Sequence, residues 1–329
     1  MYNFFTNFHI KDSVGIGGLN KPSDVIIIQR LLNESSADFK GRGAVTPDGI
    51  KGKNTFDAIK NFQQTVVGFH KPDGKVSPGG KTFNKLIEVR DPRIVAKHNK
   101  ASFKFQPALV DTHKFLKLYS DEFGRGKGLS KTAKEGLSFL LRKIMADPDI
   151  VDLRWAAYML ATVKHECSGT YTPIEELGKG NYYSKRSKKQ VVKEYSKVFK
   201  VKDPETGKER ENVYYGRGYV QLTWDYNYRN IGKALGYGDK LYIKPELALD
   251  PDIAYAVMSY GMRDGTFTDY SLKDCIIGVY ADYKSARKII NGTDQAELIK
   301  GYAQSFESLI ILSSYHSRYY LKPFETMYA

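Results

Sequence analysis

The chain has 329 residues, with 51 Lys and Arg against 37 Asp and Glu and a formal charge of +14. That length suits about two domains with a core that needs no disulfide staples. Its two cysteines, Cys167 and Cys275, exclude both a disulfide framework and a CxxC zinc spacing. The charge favours polyanionic partners such as nucleic acid, an anionic membrane surface or an acidic cell-wall polymer without choosing among them, and no apolar run approaches the ~18 residues that span a bilayer.

The N-terminus, MYNFFTNFHIKDSVGIGG, lacks a basic n-region, an apolar h-region and a small-residue cleavage site, so no signal peptide is expected. In DVIIIQRLLN, the residues Val25, Ile28, Leu31 and Leu32 share a helical face. TPDGIKGKNTFDAIKNFQQ follows, with a turn at Asp48-Gly49, a second at Gly52, and a helix opened by Thr55, Phe56, Ile59 and Phe62. The pattern partly recurs in KPDGKVSPGGKTFNKLI, where Asp73-Gly74 again leads to Lys-Thr-Phe and a helix. This weak internal repeat predicts two related helical turns packed on each other.

The ordered set Ile28-Gln29, Asp48-Gly49-x-x-Gly52-x-x-Thr55 and Ala58 to Phe62-Gln63 resembles the small three-helix peptidoglycan-binding domain. The resemblance implies a wall-binding domain over residues 1–95, with Asp48, Gly49, Gly52, Thr55, Phe62 and Gln63 as wall-binding residues. Residues 96–108 lie in a basic, aperiodic stretch flanked by prolines and are expected to be a linker. From 109 to 329 the pattern predicts helices near 129–145, 150–168, 187–199, 226–236, 251–263 and 295–313. One alternating segment, Tyr219 to Trp224, is the expected strand.

The chemistry concentrates in KHECSGTYTPIEEL, residues 164–177. Trp155, Met159, Thr162 and Val163 give the preceding helix an apolar face, and Glu166 continues that face in the last turn. Partial burial and the negative end of the helix dipole both tend to raise a carboxylate's pKa there, as a general acid requires. A zincin-type metal site needs a histidine where Gly169 stands. A Cys167 nucleophile with His165 as base is disfavoured because successive helix residues rotate by about 100°. Gly169 and Pro173 then carry the chain out of the helix, so that Glu175 or Glu176 can face Glu166 as the second acid of a glycoside hydrolase.

Further on, YYGRGYVQLTWDYNYRNIG places Gln221 and Thr223 on one side of the expected strand, and Gly216 and Gly218 allow close approach of a ligand. His165-Glu166, the second acid, Gly216-Arg217-Gly218-x-x-Gln221-Leu222-Thr223, Asn227-Tyr228, Pro245-Glu246-Leu247 and Arg287 to Gly292 together resemble family 19 chitinases and their lysozyme-like relatives among phage endolysins. The resemblance implies a mainly α fold in which a small three-helix domain is joined to a larger lysozyme-like, two-lobed domain with a short β element. It implies Glu166 as general acid, Glu175 (or Glu176) as second acid, and Thr223 as a holder of the attacking water. Substrate contacts are expected from His165, Arg217, Gln221, Asn227, Tyr228 and Asn291. Tyr182, Tyr183, Tyr214, Tyr215 and Trp224 are candidates for stacking on sugar rings, and the charged run 185–213 is expected to be mostly a solvated face.

These motifs together imply a monomeric peptidoglycan hydrolase, an endolysin that waits in a host cytoplasm and cleaves β-1,4 bonds between N-acetylmuramic acid and N-acetylglucosamine. Neither a metal nor a cofactor is expected, and no nucleic acid is expected as a partner. The alternatives are a chitinase, a lytic transglycosylase that uses Glu166 alone, and a non-catalytic wall-binding protein.

Overall fold

The computed structural model describes residues 8–35, 45–90, 110–124, 128–184, 189–277 and 280–314. The chain is mainly α, as expected, and its packing divides it into two units. One comprises the described residues of Met1–Leu129, Met145–Leu153 and Gln304–Ala329; the other comprises those of Ser130–Ile144 and Arg154–Ala303.

The first unit is built around α1 (Pro22–Glu34), whose proline sits in the first turn, where no intrahelical N–H is required. Val25, Ile26, Ile28, Leu31 and Leu32 are all buried, so the helix is central rather than one-faced. Helix α2 (Lys53–Phe62) continues into a π turn, Gln63–Val67, and α3 (Lys81–Glu88) follows the two-residue strand β2 (Lys75–Val76), which pairs antiparallel with β1 (Val14–Gly15).

The internal repeat is atomic in detail. The Gln29 side-chain amide donates to Asp48 Oδ1 (2.9 Å), Ile50 O (3.3 Å) and Thr55 Oγ1 (3.1 Å), and its carbonyl accepts from the Gly49 N–H at 2.9 Å. Gln63 repeats the set with Asp73 Oδ1 (2.6 Å), Lys75 O (3.0 Å), Thr82 Oγ1 (3.2 Å) and the Gly74 N–H (2.8 Å). Each Asp-Gly turn needs a left-handed residue at φ near +70°, met by Gly49 (φ 69) and Gly74 (φ 68). This corrects the expected wall-binding set. Gly49, Thr55, Phe62 and Gln63 are buried, and Asp48 is held by Gln29; Gly52 is the extended residue that starts α2. Apart from Gly52, these residues are held inside the unit, where their repeated spacing frames its fold.

The packing also moves the expected boundary. Helix α4 (Thr112–Phe123), capped by Asp111, sets Phe115, Tyr119 and Phe123 against Phe306 with ring centroids 5.5–6.3 Å apart. The buried Glu122 on α4 accepts from the Ser23 and Ser305 hydroxyls, both at 2.7 Å. A buried carboxylate must find donors, and here they lie on α1 and on the second half of the last helix. The helix at 112–123 therefore belongs with the N-terminal helices, while the expected linker lies outside the described residues.

The second unit contains α5 (Lys131–Ala146), α6 (Leu153–Glu166), α7 (Asp225–Ala234), α8 (Lys240–Ile243), α9 (Pro251–Asp264) and α10 (Leu272–Cys275). The last helix, α11 (Ala296–Ser313), begins in this unit and ends in the first. Helix α6 is buried on every side from Ala156 to Val163 and emerges only at Lys164, His165 and Glu166. Gly136 on α5 has no room for a Cβ, because the Tyr171 carbonyl takes that space; this close approach fixes the loop leaving α6.

Two expected elements are corrected. The helix predicted at 187–199 is instead the hairpin of β4 (Asn181–Ser184) with β5 (Lys189–Val192), then a 3-10 turn, Glu194–Ser196, and β6 (Phe199–Lys202), which pairs with β7 (Glu209–Asn212). The β-branched Val191 and Val192 favour the pleated backbone. The strand predicted at 219–224 is a tight turn closed by the Arg217 and Leu222 bridge, with Gln221 (φ 55) and Trp224 (φ 75) left-handed. Tyr219, Val220 and Leu222 are all buried, so the alternation does not describe two faces.

Candidate active site

Glu166 closes α6 with its side chain 16% exposed, and its Oε1 accepts from Arg287 Nη1 at 2.6 Å. Arg287 belongs to the 3-10 turn Ser285–Ile289 and is itself buried; its Nε donates to the Asp294 carbonyl at 2.9 Å. The guanidinium is thus held by backbone on one side and presented to the carboxylate on the other. Asn291, exposed, continues the same turn through its N–H to the Arg287 carbonyl (3.0 Å). Under this pair lies the Tyr158 ring, stacked on Tyr283 at 6.0 Å, and its hydroxyl is buried without a hydrogen-bond partner. Arg287 carried no expectation as a site residue, because nothing local ties it to Glu166 across 121 positions of sequence.

The helix end is shaped by Gly169 (φ 74), whose N–H reaches back to the Lys164 carbonyl at 2.9 Å. Lys164 is partly buried, its Nζ lies 5.2 Å from the Tyr302 ring centre, and desolvation pulls its pKa down to about 8. Cys167 is fully buried with Sγ 3.8 Å from the Tyr219 carbonyl, and burial pushes its thiol up to about 12. Such a thiol is a packing group rather than a nucleophile. The Cys167 contact also sets the residue after Glu166 against the 219–222 turn, which joins the two motifs in space.

The second acid sits on β3 (Ile174–Glu175), which pairs antiparallel with β8 (Arg217–Gly218), Glu175 opposite Arg217. Glu175 is 40% exposed, with Lys179 Nζ at 3.9 Å. Glu176 is committed elsewhere: Oε1 accepts from the Tyr195 hydroxyl at 2.8 Å and Oε2 from the Gly216 N–H at 3.2 Å. Of the two glutamates left open by sequence, Glu175 therefore has the freer carboxylate.

Around β8 the expected ligand contacts divide. The Gln221 side chain fills the space a Cβ would need at Gly216, and its Nε2 reaches the Ile174 carbonyl at 3.3 Å; Gly216 accommodates Gln221 and not a ligand. Thr223 Oγ1 lies 3.2 Å from the Gln221 carbonyl, and Asn227 Nδ2 donates to the Thr223 carbonyl at 2.9 Å; both side chains are half-buried. Arg217 and Tyr228 are corrections. Arg217 is buried, donates to Val213 O (3.0 Å) and stacks 3.6 Å from the Tyr215 ring centre. Tyr228 is 0% exposed, bonded to Arg217 and to the Tyr215 carbonyl, and burial raises its pKa. Both frame the site from beneath. Tyr214 and Tyr215 are likewise buried, whereas Trp224 is half-buried and stacks at 6.0 Å on the exposed Tyr226. His165 is half-buried beside Glu166, and the side chains of Tyr182 and Tyr183 lie outside the described residues.

Residues 144–292 match the family model of class I chitinases, glycosyl hydrolase family 19. This segment is similar to glycoside hydrolase family 19 domains. It contains Glu166, Glu175, Thr223, Asn227, Arg287 and Asn291, and leaves residues 1–143 and 293–329 outside the match. An endochitinase of Arabidopsis thaliana is 35% identical over 103 residues, 31% of this chain and 29% of its own length. Endochitinase 1 of Theobroma cacao is 36% identical over 83 residues, 25% of this chain and 23% of its own. The chain thus spans less than a third of the length of these curated relatives. Among solved structures, chitinase C from Streptomyces griseus aligns with a TM-score of 0.38 at 21% identity, covering 64% of this chain and 79% of that chain.

Proposed function

We propose that the protein hydrolyses β-1,4 bonds of a wall glycan, peptidoglycan, between N-acetylmuramic acid and N-acetylglucosamine. The observation that carries this is the Glu166 carboxyl at the open end of a buried helix, held at 2.6 Å by the buried Arg287 within the family 19 domain. Glu166 gives its proton to the leaving glycosidic oxygen as the bond to the anomeric carbon breaks, and the carboxylate that remains faces the Arg287 guanidinium. Glu175 takes a proton from the water that adds to the anomeric carbon. The Thr223 hydroxyl holds that water, and Asn227 and Asn291 bind the flanking sugars.

Two features support peptidoglycan as the substrate: the N-terminal unit's resemblance to a wall-binding domain and the net charge of +14, which suits an acidic polymer. An endolysin role, in which the protein meets the wall from within a host cell, belongs to the same proposal. A second reading, hydrolysis of chitin, is favoured by the curated relatives, which are endochitinases. Parallel incubation with purified sacculi and with colloidal chitin tests the choice. Soluble muropeptides from sacculi at a rate well above release from chitin support the wall reading, and the reverse order refutes it.

A further inference from the structure

Tyr195 lies within the charged stretch that composition assigns to a solvated face, yet its hydroxyl donates to Glu176 Oε1 at 2.8 Å. The other oxygen of Glu176 accepts from the Gly216 N–H (3.2 Å), while the Glu176 N–H donates to the Gly216 carbonyl at 2.8 Å. On its far side the Tyr195 ring meets Trp224 edge-on, with centroids 5.5 Å apart and planes at 80°. The turn that carries Tyr195 is tied down in its own right, since the Lys193 N–H donates to the Gly180 carbonyl at 2.9 Å. Ser196 occupies the space a side chain would take at Gly180.

We propose that Tyr195 is a positioning residue for the hydrolytic reaction and acts through Glu176 on Glu175. Adjacent residues at a strand end point to opposite sides. Anchoring the Glu176 carboxylate between a hydroxyl and a backbone amide therefore fixes which way Glu175 projects. A hydrogen bond to an ionised carboxylate is among the stronger ones, and a base must be held to within a fraction of an ångström to activate water. Trp224 completes the clamp, because it leads directly into the helix that carries Asn227. The charged stretch thereby acquires a role that its composition conceals: one aromatic residue in it braces the loop of the second acid. This inference rests on the reading of Glu175 as the general base.

The test is Tyr195→Phe, which removes the hydroxyl and keeps the ring against Trp224, compared with Glu194→Ala on the same turn as a control. On soluble glycan fragments, kcat of Tyr195→Phe is expected to fall about tenfold with KM within about twofold, as for loss of an interaction needed in the transition state. The acid limb of its pH profile is expected to shift, since that limb reports the base. Backbone amide exchange at Gly216 and Glu176, measured without substrate, is expected to quicken about tenfold in Tyr195→Phe and to stay unchanged in Glu194→Ala. A wild-type kcat in Tyr195→Phe, with Glu166→Gln inactive in the same assay, overturns the positioning role and leaves the reading of Glu166 standing. A wild-type protein inert on every glycan overturns that reading itself, a result visible before any variant is made.

Discussion

Replacing Gln63 by Leu keeps the approximate volume of a fully buried side chain and deletes every hydrogen bond it makes. Four contacts go: those to Asp73, Lys75 and Thr82, and the one from the Gly74 N–H. Asp73 is exposed and can turn to water, whereas the Gly74 amide and the Thr82 hydroxyl are buried and lose a partner. At roughly 1–3 kcal/mol for each of these two buried groups left unsatisfied, the loss is roughly 2–6 kcal/mol, a large share of a domain's stability. Urea unfolding followed by amide exchange in residues 53–88 reads this directly, and the Gln29→Leu variant should show a loss of the same size because its partners are equivalent. A change below about 0.5 kcal/mol in either variant would refute the view that the repeated Gln, Asp-Gly and Thr set is the frame of this unit.

Asp24 is buried, and desolvation raises its pKa from 3.8 to about 6, while the Lys11 and Asp12 N–H groups and nearby Glu122 also act on it. Because the folded value lies above the unfolded one, the stabilisation is fully present below about pH 4 and is lost as pH rises through about 6. By linkage it amounts to roughly 3 kcal/mol; the urea midpoint of wild type should fall as pH rises from about 4 to about 6 while that of Asp24→Asn stays flat, and equal pH slopes in the two proteins would refute the assignment to this group. Arg287→Ala breaks a buried ion pair, so a loss of about 3–5 kcal/mol in stability and at least about a tenfold fall in kcat are expected, measured by melting and by glycan turnover. Cys167 should resist a thiol reagent at pH 8 in the native protein and react once urea unfolds it, since burial holds its thiol near 12.

Most of the helices were legible from sequence because their pattern is local. Alpha6 and α9 have apolar periods, and each ends at a glycine with positive φ, Gly169 and Gly265. The order of the repeat was legible too, although its meaning was not: the same buried spacing serves a ligand contact or a hydrogen-bonded frame equally well. What escaped were contacts that depend on distant chain segments. The Tyr219 to Trp224 alternation gave no sign that Gln221 and Trp224 adopt left-handed backbone, and this folds the segment into a turn. Arg217 and Tyr228 stand in the right motif, yet the motif cannot say which of its polar residues face inward. The boundary near 109 was invisible for a related reason, since Glu122 finds Ser305 only when the chain returns 183 positions later. A truncation after residue 95 would strip α1 from these partners, so point substitutions are the sounder probe of the N-terminal unit.

In the proposed reaction Glu166 protonates a glycosidic oxygen while a second carboxylate activates water. Mass spectrometry of fragments released from purified sacculi, with and without borohydride reduction, tests it most directly. Wild type should release fragments with reducible ends, and Glu166→Gln, folded to the same melting temperature, should release none. Anhydro ends from wild type, or equal release by Glu166→Gln, would contradict the account.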